Sequence, residues 1–324
     1  MIKGRGLRWI WALCLILLCS PVAWIRVGSA AEKFPSREIT ILIHHMPGGS
    51  LDLASRIAAE YLKRELGVPV VVENRAEAGG VKAVLDIYKG RPDGYTVIAT
   101  LFPAFAQMEI VYKGPFKLLE LTYLAGFYRS EMVVAVNKDT PYRNLKDLIE
   151  ASKKKSLNCG VSGVGTMSHL MAMVLKKKVG MELEAVPFKG SAPSMTALLG
   201  GNVDLITVEP LTYLLQKEKV RALAAFSDER VRNLLEVPTF KELGFDLPPG
   251  YSSIGYAGPP GLPEDVRKIL SDAFARALKN PELISRVEKM GPTIAYMPGP
   301  EYRAVAESFY RLIEEYKDML VEKK

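Results

Sequence analysis

An apolar run, Ile39-Thr40-Ile41-Leu42-Ile43, passes through His44-His45-Met46-Pro47-Gly48-Gly49-Ser50 directly into a segment with Leu51, Ala54, Ala58, Tyr61 and Leu62 at helical spacing, closed by Gly67. A buried strand that feeds a helix through a glycine turn belongs to a sheet whose strands are joined by crossovers, which restricts the chain to an α/β architecture. The glycines let the backbone turn tightly, and the helix start aims unpaired N–H groups outward. Two readings follow. The turn is either a cradle for a carboxylate or other oxyanion, or an ordinary strand-to-helix turn with Ser50 as N-cap and Asp52 in the first turn.

The pattern recurs. Val68–Val72 reads as a short strand, a helix is expected from Gly80 to Lys89, and Pro92-Asp93-Gly94 turns the chain into the strand Tyr95–Thr100. A second α/β unit starts with the strand Met132–Val136 and the helix Leu145–Lys153. Within it, strand Leu157–Val161 enters Ser162-Gly163-Val164-Gly165-Thr166-Met167-Ser168 and a helix from His169 to Val179. Glu184–Phe188 enters Lys189-Gly190-Ser191-Ala192-Pro193 and another helix, and Val203–Val208 enters Glu209-Pro210. One more strand, Ser252–Ala257, precedes three helices at Pro263–Leu278, Pro281–Met290 and Pro300 to about Val321, read as a return to the first unit. Ligands of open parallel sheets bind beyond the carboxyl ends of the strands. That edge carries His45 to Ser50, then Thr100 and Phe102, and in the second unit the small, hydroxyl-bearing helix starts.

Residues 1–30 differ in kind. Lys3, Arg5 and Arg8 precede the apolar run Trp9–Leu18, and Gly28-Ser29-Ala30-Ala31 follows, the form of a secretory signal peptide cleaved after Ala30 or Ala31. The apolar core is shorter than the ~20 residues of a membrane span. Cys14 and Cys19 fall in this leader, which leaves Cys159 alone and rules out an internal disulfide in the mature chain. The 324-residue chain is 48% apolar, enough for a large core in two domains. Its formal charge of +7 falls to +3 without the four basic leader residues, giving no nucleic-acid signature.

Catalytic and metal motifs are near misses. Gly160-Val161-Ser162-Gly163-Val164 lacks the last glycine of a nucleophile elbow, Ser168 stands where a dinucleotide fingerprint needs glycine, and no Walker loop is present. His44 and His45 point to opposite faces if strand geometry continues, so they do not jointly bind a metal. His169 is read as a helix-start or pocket-wall residue. No cofactor is expected. A secreted hydrolase using Ser162 with His169 is the alternative from another class.

Six motifs occur together in order: Pro47-Gly48-Gly49-Ser50-x-Asp52; Val72-Glu73-Asn74-Arg75 with Ala78-Gly79-Gly80; Pro92-Asp93-Gly94-Tyr95-Thr96; Gly163-Val164-Gly165-Thr166; Val186 to Pro193; and Leu199 to Asp204. Through them the chain resembles the Bug receptors, the periplasmic substrate-binding components of tripartite tricarboxylate transporters, over essentially all of its mature length. The resemblance implies an α/β, two-domain periplasmic binding fold of type II-like form. Each domain is a mostly parallel sheet flanked by helices, with the ligand cleft between them: residues 31–131 and 252–324 as domain 1, and 132–251 as domain 2. It implies a non-enzymatic, monomeric receptor for a small organic acid that delivers to integral membrane transporter subunits, with a sensor subunit feeding a membrane kinase as the alternative. In the family, the loop matching Pro47, Gly48, Gly49, Ser50 and Asp52, with ordered waters, holds one carboxylate. The loops matching Ser162, Gly165, Thr166, Ser168 and His169, and Lys189, Gly190 and Ser191, grip the ligand from the opposite wall. The chain departs from the family in having His44-His45 where Pro-Phe is common, so His45 makes that side more polar. It also has Ala76-Glu77-Ala78-Gly79-Gly80 where the family often has Pro-Gly-Ala-Gly-Gly. Glu209, after a buried strand at the ligand edge, favours an amino-bearing or hydroxylated ligand by charge complementarity.

Overall fold

β1 (Ile39–Ile43) is buried at four of its five positions, which suits a strand paired on both edges and covered on both faces. The computed structural model describes residues 33–320 apart from 249, 290 and 291, so the expected leader lies outside the described residues. α1 (Ser50–Leu66) turns Leu51, Ala54, Ala58, Tyr61 and Leu62 to the core and ends at Gly67 in the left-handed conformation, φ 71°. β2 (Val70–Asn74), α2 (Val81–Tyr88) and β3 (Thr96–Phe102) follow, and β1 lies parallel to both β2 and β3. α3 (Ala104–Ile110) and β4 (Thr122–Glu131), the longest strand, occupy a stretch where the sequence pattern indicated no element.

The chain then enters a second sheet. Its elements are β5 (Val133–Asn137), α4 (Leu145–Lys154), β6 (Leu157–Val161), α5 (Met167–Val174) prolonged by a π turn over Leu175–Val179, β7 (Leu183–Pro187), α6 (Ser191–Leu199), β8 (Leu205–Val208), α7 (Pro210–Leu214) and β9 (Val220–Ala225). It returns through β10 (Tyr251–Gly258), α8 (Glu264–Leu278), α9 (Pro281–Glu288), β11 (Thr293–Pro298) and α10 (Gly299–Tyr316).

The strand orders are β11-β4-β10-β3-β1-β2 and β7-β6-β8-β5-β9. Both sheets are mixed rather than mostly parallel, and the crossing explains why. β4 carries the chain out of the first sheet and β10 carries it back beside β4, so the two must run antiparallel. β5 enters the second sheet against the direction of β6 and β8 and pairs antiparallel with β8 and β9. β6, β7 and β8 remain parallel, so the loops that follow them emerge at one edge. At the crossing, Met132 N–H donates to Gly250 O (2.7 Å) and Phe226 N–H to Met132 O (2.9 Å). One apolar core continues past this point, joining Phe102, Phe105 and Phe309 to Met171 and Phe226.

Candidate functional site

At the carboxyl end of β1 the loop 44–49 is built around Asp52. Its carboxylate, with the side chain 3% exposed, accepts Gly48 N–H at 2.9 Å, Arg56 Nε at 3.0 and 3.1 Å, and Asn74 Nδ2 at 3.0 Å. Asn74 also donates to His45 O (3.1 Å) and accepts from Arg56 (2.8 Å). Burial alone would raise the Asp52 pKa, but the hydrogen bonds from Arg56, Gly48 and Asn74 and the Arg56 charge outweigh it and hold the carboxyl below its usual range. Gly48 sits at φ +89°, a region side-chain-bearing residues rarely adopt, and this turn aims its N–H at Asp52. The N-cap of α1 is Gly49 rather than Ser50, with no side-chain cap. The first i→i−4 bond runs from Leu53 N to Gly49 O, so the amides of Gly49, Ser50, Leu51 and Asp52 have no acceptor among the described residues. Gly48, Gly49 and Ser50 are exposed, so this end of a 17-residue helix is open to an anion.

Two histidines back the loop. His44 is 2% exposed, and among the described residues neither ring nitrogen has a hydrogen-bond partner of normal geometry. It packs on Phe105 (5.0 Å between centroids) and edge-on to His45 (4.3 Å). Burial, reinforced by His45 and partly offset by the Ala99 backbone, drives the His44 pKa well below 6.5; burial also lowers that of His45. Both rings are therefore neutral at pH 7, and the cradle draws its positive potential from amides.

Two neighbouring hydrogen-bonded sets lie at the shared edge of β6, β7 and β8. Thr166 caps α5 by accepting His169 N–H (3.2 Å), accepts Ser162 Oγ–H (3.2 Å) and donates to Gly163 O (2.9 Å). Gly190 N–H reaches Ser162 O (3.1 Å), and Ser191 Oγ–H donates to Glu209 Oε2 (2.8 Å). His169 accepts Gly165 N–H at Nδ1 (3.0 Å), which places its proton on Nε2. Burial lowers its pKa, so this ring too is neutral.

From the first sheet's side, Gln107 of α3 donates through Nε2 to Gly165 O. Gly165, at φ +74°, has no room for a side chain: a Cβ there would lie 2.6 Å from Gln107 Oε1. Gln107, 4% exposed, thus ties the first sheet's α3 to the loop after β6. Like Arg56, it is a framework residue that the sequence reading did not single out; Asn74 stood there only as part of a motif, with no role assigned.

The structure separates the expected site residues into two groups. His45, Pro47, Gly48, Gly49 and Ser50 lie in the loop after β1 and the start of α1; Ser162, Thr166, Lys189, Gly190, Ser191 and Glu209 lie in the loops after β6, β7 and β8, with Gly165 and His169 buried beneath the first of these. Asp52 and Ser168 are buried supports: Ser168 Oγ bonds to Thr207 O (2.7 Å) and accepts Ser162 N–H (3.1 Å). Thr100 and Phe102, expected at the ligand edge, are core residues with no exposed surface. The returning helix α10 covers them, Tyr302 Oη sharing a 2.7 Å hydrogen bond with Thr100 and Phe309 stacking on Phe102 at 5.5 Å. Ser162 and His169 are each bonded elsewhere and form no nucleophile–base pair. Cys159 is a core thiol, its pKa pushed up to about 12 by burial. Among the described residues no His, Cys, Asp or Glu cluster suits a metal and no helix is long and apolar enough to cross a membrane. A cavity of about 600 Å³ near the crossing strands is lined by Arg129, Phe226, Arg230, Lys241 and Tyr251 among others, but Arg230 is paired with Glu242 and Lys241 with Asp228.

Two mixed α/β sheets joined by crossing strands, with an uncapped helix start after β1 and hydroxyl-rich loops after β6, β7 and β8, have the architecture of a solute-binding receptor of the periplasmic type. Residues 54–311 match the model of the tripartite tricarboxylate transporter family receptor, TctC, and the chain belongs to that family. A UPF0065 protein from the gbd 5' region of Cupriavidus necator is 30% identical over 286 residues, 85% of each chain. A TctC solute-binding protein from Polaromonas, solved without ligand, superposes with a TM-score of 0.78 at 26% identity, covering 87% of this chain and 99% of that one. MatC from Rhodopseudomonas palustris, with bound malate, gives 0.67 at 26% identity over 89% and 100% of the two chains. An R. palustris protein with adipate gives 0.70 at 25% identity over 89% and 98%.

Proposed function

We propose that this chain captures a small organic carboxylate between two lobes, residues 31–131 with 252–324 and residues 132–251, and presents the closed form to the membrane subunits of a tripartite tricarboxylate transporter. It works as a periplasmic monomer after removal of its leader, and ligand capture involves no chemical step. The observation that carries this reading is the uncapped N-terminus of α1, whose loop is fixed from behind by Asp52, Asn74 and Arg56. The framework is held by contacts within the protein alone, so less ordering is needed on binding. Closure, by bending at the crossing near Met132 and Gly250, brings Gly48–Ser50 toward Ser162, Thr166 and Ser191.

The magnitudes are adequate. Hydrogen bonds to a charged group contribute about 1.5–3 kcal/mol each, so several convergent amides and hydroxyls offset ordering and reach the ~8 kcal/mol of a micromolar ligand. The malate and adipate held by two related structures support a carboxylate with a short chain. A thermal-shift panel of mono-, di- and tricarboxylates on the mature protein tests this. A saturable rise in melting temperature with carboxylates, absent for neutral analogues of the same length, is expected. Equal responses to the neutral analogues would refute carboxylate capture.

A further inference from the structure

We infer that Glu209 makes this receptor select a carboxylate that also carries a protonated amine, an inference that rests on the carboxylate-receptor reading above. Glu209 follows β8, at the edge it shares with β6 and β7. It is partly buried and ends the chain of contacts from Thr166 through Ser162 and Gly190 to Ser191. Its partner is the Ser191 hydroxyl at Oε2; among the described residues no protein group bonds to Oε1 and no cationic side chain lies within ion-pair distance of it. Lys189, two residues before Ser191, is exposed and has no acid partner among the described residues.

A carboxylate on the wall of an anion receptor works against a ligand that offers only negative charge. It also stands beside the N-terminus of α6, so part of that helix's positive potential is already committed to the protein's own acid. The opposite wall supplies the open anion position, at the four free amides of α1. One wall therefore receives a ligand carboxylate, while the other presents a carboxylate with a vacant acceptor oxygen. An ammonium group on the ligand satisfies that oxygen and cancels the repulsion as the lobes close. A ligand hydroxyl fills the hydrogen bond without cancelling charge and ranks between the two.

The test uses two skeleton-matched series in calorimetric titrations of the mature protein: succinate, malate and aspartate, then adipate and 2-aminoadipate. In wild type the amino member is expected to bind at least tenfold tighter than its unsubstituted partner in at least one series, with malate intermediate between succinate and aspartate. In Glu209→Gln the amino member is expected to weaken at least tenfold, while the unsubstituted acid stays within twofold or tightens. Ser191→Ala separates charge from architecture: it removes the hydrogen bond but keeps the carboxylate, so the amino preference persists. Equal or tighter binding of the unsubstituted acids by wild type, or an unchanged ratio in Glu209→Gln, overturns the inference and leaves carboxylate capture standing. Loss of preference in Ser191→Ala to the same degree as in Glu209→Gln also overturns it, because Glu209 would then act only as a brace. Failure of every member of both series to bind refutes the carboxylate reading itself.

Discussion

Asp52→Asn removes one charge and, at one of the two carboxylate oxygens, replaces an acceptor with a donor. The wild-type carboxylate holds Gly48 N–H, Arg56 and Asn74 within 2.9–3.1 Å at a position only 2% exposed. Breaking a buried pair by removing one partner costs about 3–5 kcal/mol, but Arg56 is 47% exposed and is rehydrated, which lowers the expectation to about 3 kcal/mol. With an unfolding entropy of about 2.1 cal/mol/K per residue over about 290 residues, 3 kcal/mol corresponds to a fall of about 5 °C in Tm. Differential scanning calorimetry reads the shift, and titration with the best carboxylate reads the second consequence: a weaker ligand, because Gly48 loses its anchor. The pH dependence has a definite sign. The folded pKa of Asp52 lies below the model-peptide value of 3.8, so its stabilisation is complete above that value and is lost as pH falls through the folded pKa. The wild-type and Asp52→Asn melting curves should therefore converge at the acid end. A variant within 1 °C of wild type at pH 7, with unchanged affinity, would refute the view that Asp52 holds the loop.

Replacing His44 by Phe fills the same apolar niche beside Phe105 without two unpartnered nitrogens, so the variant should melt higher than wild type, most of all at pH 5. The folded pKa of His44 lies below 6.5, so the stability it allows is full above that pH and is lost as pH falls. The slope is up to about 1.4 kcal/mol per pH unit for each proton taken up only by the unfolded chain. An unchanged slope between pH 7 and 5 in His44→Phe would show that the ring titrates freely. Gln107→Ala leaves the Gly165 carbonyl without its donor and should cost about 1–3 kcal/mol together with at least a tenfold loss of ligand affinity. Additive losses in a Gln107→Ala, Gly165→Ala cycle would show that the two residues do not act through each other.

How far the sequence carried depended on where the determining contacts lie. The strand, turn and helix over Ile39–Leu66 were legible because periodicity, the glycine pair and Gly67 are all local. So was β6, matched residue for residue at Leu157–Val161. β4 was not legible, because its apolar run Tyr123–Tyr128 fits a helix or a strand until β10 and β11 pair with it from more than 120 residues away. Thr100 and Phe102 do lie near the end of a strand, but only the path of α10 puts Tyr302 and Phe309 over them. A first-turn acid reads equally well as a dipole partner, and the role of Asp52 as the keystone of the loop appears only once β2 brings Asn74 beside it. Gln107 carried no signal at all, since its meaning lies in one carbonyl 58 residues downstream.

The central claim, capture of one ligand by both walls, is tested most directly by hydrogen exchange of the mature protein with and without a saturating carboxylate. Slowed exchange is expected in two separate segments, the amides of Gly49–Asp52 and those of Gly163–Ser168, with little change at the cavity lined by Arg230 and Lys241. Protection confined to one wall, or centred on that cavity, would contradict it.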